Sequence, residues 1–158
     1  MTQFVGTHFG KLDRKGRISV PASFRAELEA AGVNQIAFRP SHQYPCIEGR
    51  SRPEFDRMCA IIRALPHFSE EREAWESGFI AVSLVLRMDA EGRLVLPEEM
   101  ISESGLGENV AFMGKGDRFE IWNAAAAKAN TGQGFATLRD RRMSLPAGPL
   151  NTTPSGVA

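Results

Sequence analysis

The chain is poor in several residue types. Its 158 residues include two cysteines, one tyrosine, two tryptophans and three histidines. Cys46 and Cys59 are too few for a disulfide framework, and so low a thiol content fits a reducing compartment. Net charge is missing as well, because 19 Lys and Arg balance 19 Asp and Glu. That excludes a uniformly basic nucleic-acid coat and a polybasic membrane anchor, while leaving room for a local basic patch. No stretch reaches the roughly 18–20 consecutive apolar residues that span a bilayer. Residues 1–10 have neither the basic start nor the long apolar core of a secretory signal. The chain is therefore expected in the cytoplasm, with no membrane partner. It has no phosphate-binding glycine loop, no dinucleotide fingerprint and no Ser-His-Asp order to build on. No cofactor, no small-molecule substrate and no catalytic residue are expected, so the chain reads as something other than an enzyme. What is left, 42% apolar and 24% charged, is the composition of an ordinary globular protein.

The chain repeats itself. Leu12-Asp13-Arg14-Lys15-Gly16-Arg17-Ile18-Ser19-Val20-Pro21 returns as Met88-Asp89-Ala90-Glu91-Gly92-Arg93-Leu94-Val95-Leu96-Pro97. Asp, Gly, Arg and Pro are identical, and apolar residues match at 12/88, 18/94 and 20/96. A second block is collinear with the first: residues 32–38 resemble 105–112, and Ile47 then aligns with Ile121. Such fixed-period similarity marks a duplicated supersecondary unit.

Each copy reads as the same series of elements. Ile80, Val82, Leu84, Leu86 and Met88 alternate at period two, which predicts a strand. The matching strand of copy one is residues 4–12. A turn at Gly16 or Gly92 follows, where glycine suits a positive φ. Then come a short strand, and a helix for which Pro21 or Pro97 suits the first turn. Gly32 and Gly105 read as helix stops. Further strands fall near residues 36–38 and 46–48, and near 110–112 and 119–122. Between the copies, Ser51 and Glu54 read as a capping box. Phe55, Met58, Cys59, Ile62 and Leu65 then form one helical apolar stripe. A second helix is expected from Ser69 through Trp75, stopped by Gly78, and a short Ala-rich helix over 123–130. The expected organisation is a first repeat at 1–51, a helical insert at 52–78, a second repeat at 79–130, and a polar, flexible tail at 131–158. A unit of 50–60 residues buries little by itself, so the copies are expected to share one core.

The strongest chemical signal is the doubled Asp-x-x-Gly-Arg-x-x-x-Pro. As pure structure, Asp caps, Gly bends and Pro opens a helix, which accounts for Asp13, Gly16, Pro21, Asp89, Gly92 and Pro97. It leaves Arg17 and Arg93 without a reason. Copy one adds Lys11, Arg14 and Lys15, four basic residues against one acid from 11 to 17. A glycine turn carrying several cations is a good probe of phosphates and grooves. Arginine also pairs bidentately with guanine in the major groove. Asp13 and Asp89 are placed to orient the arginine four residues on. Read from residues alone, the loop is either a structural turn or a nucleic-acid contact.

The doubled motif resembles the SpoVT/AbrB-type swapped-hairpin DNA-binding family. Two copies in one chain, joined by a helical insert, resemble its tandem members, the bacterial regulators of the division and cell-wall gene cluster. Residues 119–122 near the end of copy two also fit. The resemblance covers about residues 1–145. It implies an α+β fold, a pseudo-twofold double-split β-barrel built from two tandem SpoVT/AbrB-like repeats. It also implies ring-like homo-oligomers and binding to short repeated boxes in promoter double-stranded DNA. The expected function is a transcriptional regulator, a repressor acting also on its own gene, and associated with the nucleoid. By that resemblance Arg17 matches the DNA-contacting arginine, and Arg93 takes the second-copy position. Copy two carries Ala90 and Glu91 where copy one has Arg14 and Lys15, so the loops are expected to contribute unequally. Relatives of this fold include antitoxins, and the alternative is an interaction module that binds a partner protein through its C-terminal tail.

Other constellations are weaker. His42, Cys46, Cys59 and His67 match no zinc spacing, so no metal is expected. Glu70, Glu71, Glu73 and Glu76 read as a solvated helix face. Arg139, Arg141 and Arg142 either add phosphate contacts or keep their segment solvated.

Overall fold

The structure is a computed structural model and describes residues 2–148. It divides into two compact units, Met1–Ala127 and the segment from Lys128 onward. The first unit contains both copies of the repeated Asp-to-Pro motif. Copy one runs β1 (Thr7–Lys11), β2 (Arg17–Ser19), α1 (Ala22–Ala30), β3 (Gln35–Pro40) and β4 (Cys46–Ser51). The insert holds α2 (Arg52–Arg63) and α3 (Glu70–Trp75). Copy two runs β5 (Leu84–Arg87), β6 (Arg93–Val95), α4 (Glu98–Glu103), β7 (Asn109–Gly114) and β8 (Phe119–Asn123). Helix α5 (Ala124–Asp140) begins in the first unit and continues into the second.

All strand pairs are antiparallel. The main sheet has the order β1-β7-β8-β4-β3-β5, and β2 and β6 form a separate ribbon. Exchanging the copies, β1 for β5 and so on, returns the same order read backwards. The first strand of each copy pairs with the third strand of the other, and the second strands pair together. Neither copy closes its own sheet, so the chain folds by interlacing them.

Both copies fill one core. Phe4, Leu12, Ile18, Val20, Phe24, Leu28, Ile36, Phe38 and Ile47 pack with Leu94, Leu96, Met100, Val110, Phe112, Phe119 and Ile121. Most of these match at repeat positions: Ile18 with Leu94, Val20 with Leu96, Phe24 with Met100, Phe38 with Phe112. Phe119 is the aromatic hub, with Phe4, Phe24, Phe38 and Phe112 rings all 5.2–6.0 Å away. Burying side chains of this size contributes about 1.5–3 kcal/mol each, which explains why the duplicated apolar positions, rather than local propensity, hold the three-residue strands in place.

Several boundaries differ from the sequence expectation. Pro21 and Pro97 stand immediately before α1 and α4 rather than inside their first turns. Gly32 and Gly105 do stop those helices, at φ 69° and 67°. Ser51 caps α2 by accepting the Glu54 N–H at 3.3 Å, but the Glu54 carboxylate turns to Arg57 at 2.7 Å, so only half of the box forms. The strand expected from Ile80 starts at Leu84. Residues 76–80 instead make one wide π-helical turn after α3, and Gly78 lies inside it. The cause is Phe79, which is buried against Phe55 and Trp75 and under the guanidinium groups of Arg39 and Arg50. On the first strand, positive-φ Gly6 separates Phe4 from β1, leaving Phe4 in a lone bridge to Gly116. Helix α5 runs ten residues past the expected stop. It ends where Arg142 turns to φ 46° and the Met143 N–H reaches the Leu138 carbonyl. The expected flexible tail therefore begins as helix, and its last ten residues, 149–158, lie outside the described residues.

Candidate nucleic-acid interface

The two Asp-to-Arg loops are near copies in space. In loop one, Asp13 Oδ1 accepts the N–H groups of Lys15 and Arg17, each at 2.9 Å, and Oδ2 accepts Arg17 Nε at 2.5 Å. In loop two, Asp89 Oδ1 accepts the N–H groups of Glu91 and Arg93, each at 2.9 Å, and Oδ2 accepts Arg93 Nε at 3.1 Å. Each aspartate thus shapes its turn and aims its arginine. The carboxyl of Asp13 is held below its ordinary range, first by the Arg17 backbone N–H and then, against some burial, by the Arg17 side chain and the Lys15 N–H. Asp89 is lowered in the same way, first by the Arg93 backbone N–H. Both stay ionised in neutral solution.

Glycine is required at both tips. Gly16 has φ 83° and a Cβ there would sit 2.3 Å from the Leu96 carbonyl oxygen. Gly92 has φ 77° and a Cβ there would meet Arg25 Cδ at 2.0 Å. These close approaches tie each loop to the other copy. The Leu96 N–H donates to Gly16 O at 2.8 Å, and the Val20 N–H donates to Gly92 O at 2.9 Å.

The β2–β6 ribbon joins the loops. Ile18 and Leu94 point into the core, while Arg17, Ser19, Arg93 and Val95 are exposed on the outer side, with Arg17 opposite Val95 and Ser19 opposite Arg93. An open groove runs along this side. Lys11, Arg14, Lys15, Arg17 and Arg93 line it, and so do Asp13, Asp89, Glu98 and Glu108. All five sequence-predicted basic residues therefore meet in one place. Lys11 sits 3.7 Å from Glu108 in a fully solvated pair, which contributes little.

The two arginines differ in what is left to offer. Among the described residues, the terminal nitrogens of Arg17 and the Arg14 and Lys15 side chains have no hydrogen-bond or ion-pair partner. Arg93 is held twice, by Asp89 and by Glu91 Oε2 at 2.7 Å from Nη2. Sequence reading missed Arg25. From the first turn of α1, its Nη1 donates to the Glu91 carbonyl at 2.9 Å. No local pattern signals a contact between residues 66 positions apart.

Elsewhere the sequence candidates do not converge. Among the described residues, no group of three or more His, Cys, Asp and Glu side chains is placed to hold a metal. His42 Nδ1 faces Arg39 Nη2 at 3.1 Å. Cys46 is buried and its thiol is pushed up to about 12, mainly by burial and then by Glu120 and Glu48. Cys59 is raised too, mainly by burial. Neither is an activated thiol. Glu70, Glu71 and Glu73 occupy α3 and Glu76 follows it, 3.5 Å from Arg72. Arg139 pairs with its neighbour Asp140 at 3.3 Å, and Arg141 and Arg142 are exposed. Among the described residues, no helix is long and apolar enough to cross a membrane.

Residues 3–76 and 83–128 match the profile of a protein family described as "MraZ protein, putative antitoxin-like". The chain is 40% identical over 150 residues to the transcriptional regulator MraZ of Gluconacetobacter diazotrophicus, covering 93% of this chain and 94% of that one. It is 41% identical over 130 residues to the transcriptional regulator MraZ of Gluconobacter oxydans, covering 80% and 79%. The same-named regulator of Rhodospirillum rubrum is 38% identical over 138 residues, covering 84% and 87%.

Proposed function

The chain belongs to the MraZ family, and from that premise we propose that it is a sequence-specific DNA-binding transcriptional regulator and not an enzyme. The observation that carries this reading is the groove. Loop one concentrates positive charge there: it presents Arg17, whose terminal nitrogens have no hydrogen-bond partner among the described residues, beside Arg14 and Lys15. Arg17 reads a guanine edge, Lys11, Arg14 and Lys15 contact flanking phosphates, and Arg93 plays a lesser part. The interlaced strand order supports reading residues 1–51 and 79–130 as two SpoVT/AbrB-like repeats around a pseudo-twofold double-split barrel.

A neutral protein with a few phosphate contacts per subunit binds weakly by itself. We propose that subunits close into a ring, placing several loops on successive promoter boxes at high effective concentration. Size-exclusion chromatography with light scattering should give a multimer at micromolar concentration, and a monomer there would contradict the ring. The regulator acts on the division and cell-wall gene cluster, including its own gene, as a repressor in the cytoplasm at the nucleoid.

A gel-shift assay with duplex DNA from upstream of the protein's own gene tests the central claim against a scrambled duplex. Equal affinity for both would rule out sequence-specific reading and favour a module that binds a partner protein. The phosphate role has its own signature. Lys15→Glu should weaken binding to every duplex and lower the slope of log K against log salt by up to about 0.9 per engaged subunit. An unchanged slope would remove Lys15 from the phosphate contacts.

A further inference from the structure

The two loops are anchored by different means, and the difference lies outside the loops. Loop two is bolted by Arg25 of α1, whose Nη1 donates to the Glu91 carbonyl at 2.9 Å. The aliphatic stem of Arg25 occupies the space that Gly92 leaves by lacking a Cβ. Its Nε is buried and has no partner among the described residues. Burying such a donor is unfavourable, so the side chain holds this position against its own solvation. The residue 76 positions on is Ile101, which packs at loop one with its Cδ1 3.5 Å from where a Gly16 Cβ would lie. Loop one thus rests on a methyl group, while loop two is gripped by a guanidinium.

The grip reaches further. The Gly92 carbonyl next to the clamped Glu91 accepts the Val20 N–H at 2.9 Å. Val20 directly follows β2, which begins at Arg17. A fixed loop two therefore fixes the far end of the strand that presents Arg17.

We infer that Arg25 is a positioning residue for the DNA interface: it immobilises loop two, and through the Gly92–Val20 hydrogen bond it sets the placement of β2 and of Arg17. The inference rests on the DNA-binding reading above. Loop one carries Arg17, and loop two serves as the fixed abutment for the strand that presents it. Preorganisation of this kind raises affinity without adding a contact.

The test uses the full chain with three side chains at position 25. Arg25→Met keeps the stem and removes the donor, and Arg25→Lys keeps a donor. Hydrogen exchange on the free protein reads the clamp directly. Arg25→Met should speed exchange at the Val20 and Gly92 amides and leave the Leu96 amide, at the other end of the ribbon, unchanged. On the upstream duplex, Arg25→Met should bind about tenfold more weakly with an unaltered salt slope, and Arg25→Lys should recover most of the loss. A slope reduced by about 0.9 per subunit would make Arg25 a phosphate contact and overturn the positioning role. Unchanged exchange at Val20, or unchanged affinity with faster exchange, would overturn it as well. If the wild-type protein does not prefer the upstream duplex over a scrambled one, the DNA reading fails, while the exchange data still decide whether Arg25 holds the loop.

Discussion

Arg17→Ala is expected to abolish specific binding to the upstream duplex while leaving the fold and the assembly intact. The Arg17 side chain is well exposed, and among the described residues its one side-chain partner is Asp13. Removing it leaves the turn standing, because Asp13 still accepts the Lys15 and Arg17 backbone N–H groups. A change in thermal stability within about 0.5 kcal/mol is the normal result at such a surface site. The binding loss is of a different order. One bidentate base contact is worth about 1–3 kcal/mol, and in an oligomer the loss recurs in each engaged subunit. Arg93→Ala is the internal control. Arg93 already spends one terminal nitrogen on Glu91 at 2.7 Å and its Nε on Asp89, so its removal should cost clearly less affinity. Gel shifts and melting curves on the same two variants decide the matter. Near wild-type affinity for Arg17→Ala would exclude loop one as the reader. Equal losses for both variants, with folding unchanged, would show that both loops read DNA alike.

Much of this candidate site is legible in the sequence alone. The repeat at offset 76 located both loops, the glycine tips and the aspartates, since each Asp-to-Arg turn closes on hydrogen bonds between residues at most four apart. Local chemistry of that kind survives any tertiary arrangement. Which strands pair was not legible, because period-two patterning says which face of a strand is buried and nothing about its partner. The interlacing that brings Arg93 opposite Ser19 belongs to the whole chain. Arg25 was invisible for the same reason.

The largest gap lies on the other face of the main sheet. Arg39, Glu48, Arg50 and Glu120 alternate with apolar residues along β3, β4 and β8, and alternation of that sort ordinarily marks a solvated face. Here all four are buried. Phe79, from the turn after α3, covers part of that face, and Ala127 of α5 packs on Trp122 and Ala111 near Glu120. Covering elements that arrive from distant sequence turn a polar face into a buried ionic network. Within it, Arg39 and Arg50 each donate to Glu48 Oε1 at 2.8 Å, and Glu120 takes Arg118 at 3.1 Å, Lys115 at 3.6 Å and Trp122 Nε1 at 2.9 Å.

That network carries the largest expected effect on stability. Glu48→Gln should lower the unfolding free energy by about 3–5 kcal/mol, because it leaves two buried guanidinium groups without their shared counter-charge. For a chain of this size the thermal midpoint should fall on the order of 10 °C. Glu120 does not replace the lost charge, being already engaged by Arg118, Lys115 and Trp122. The insert should loosen first, since Arg39 also donates to the Gly78 carbonyl at 3.0 Å and its guanidinium lies 4.7 Å from the Phe79 ring. The pH dependence identifies the cause. Burial raises the Glu48 carboxyl, but hydrogen bonds and charge from Arg50 and Arg39 outweigh it and hold the group below its ordinary value of 4.5. A carboxylate lowered on folding adds stability that is fully present above its unfolded value and is lost as pH falls through the folded one. The gap in thermal midpoint between the wild type and Glu48→Gln should therefore be widest near neutrality. It should begin to narrow below about 4.5, where the carboxyl of the unfolded chain takes up a proton, and close only as pH falls through the lower folded-state value, where the native carboxyl protonates as well. A gap that stays constant from neutral to acid pH would assign the loss to packing rather than to the missing charge. Replacing Arg39, Glu48 and Arg50 together by apolar residues of similar volume should restore much of the stability, because no buried charge would then lack a partner.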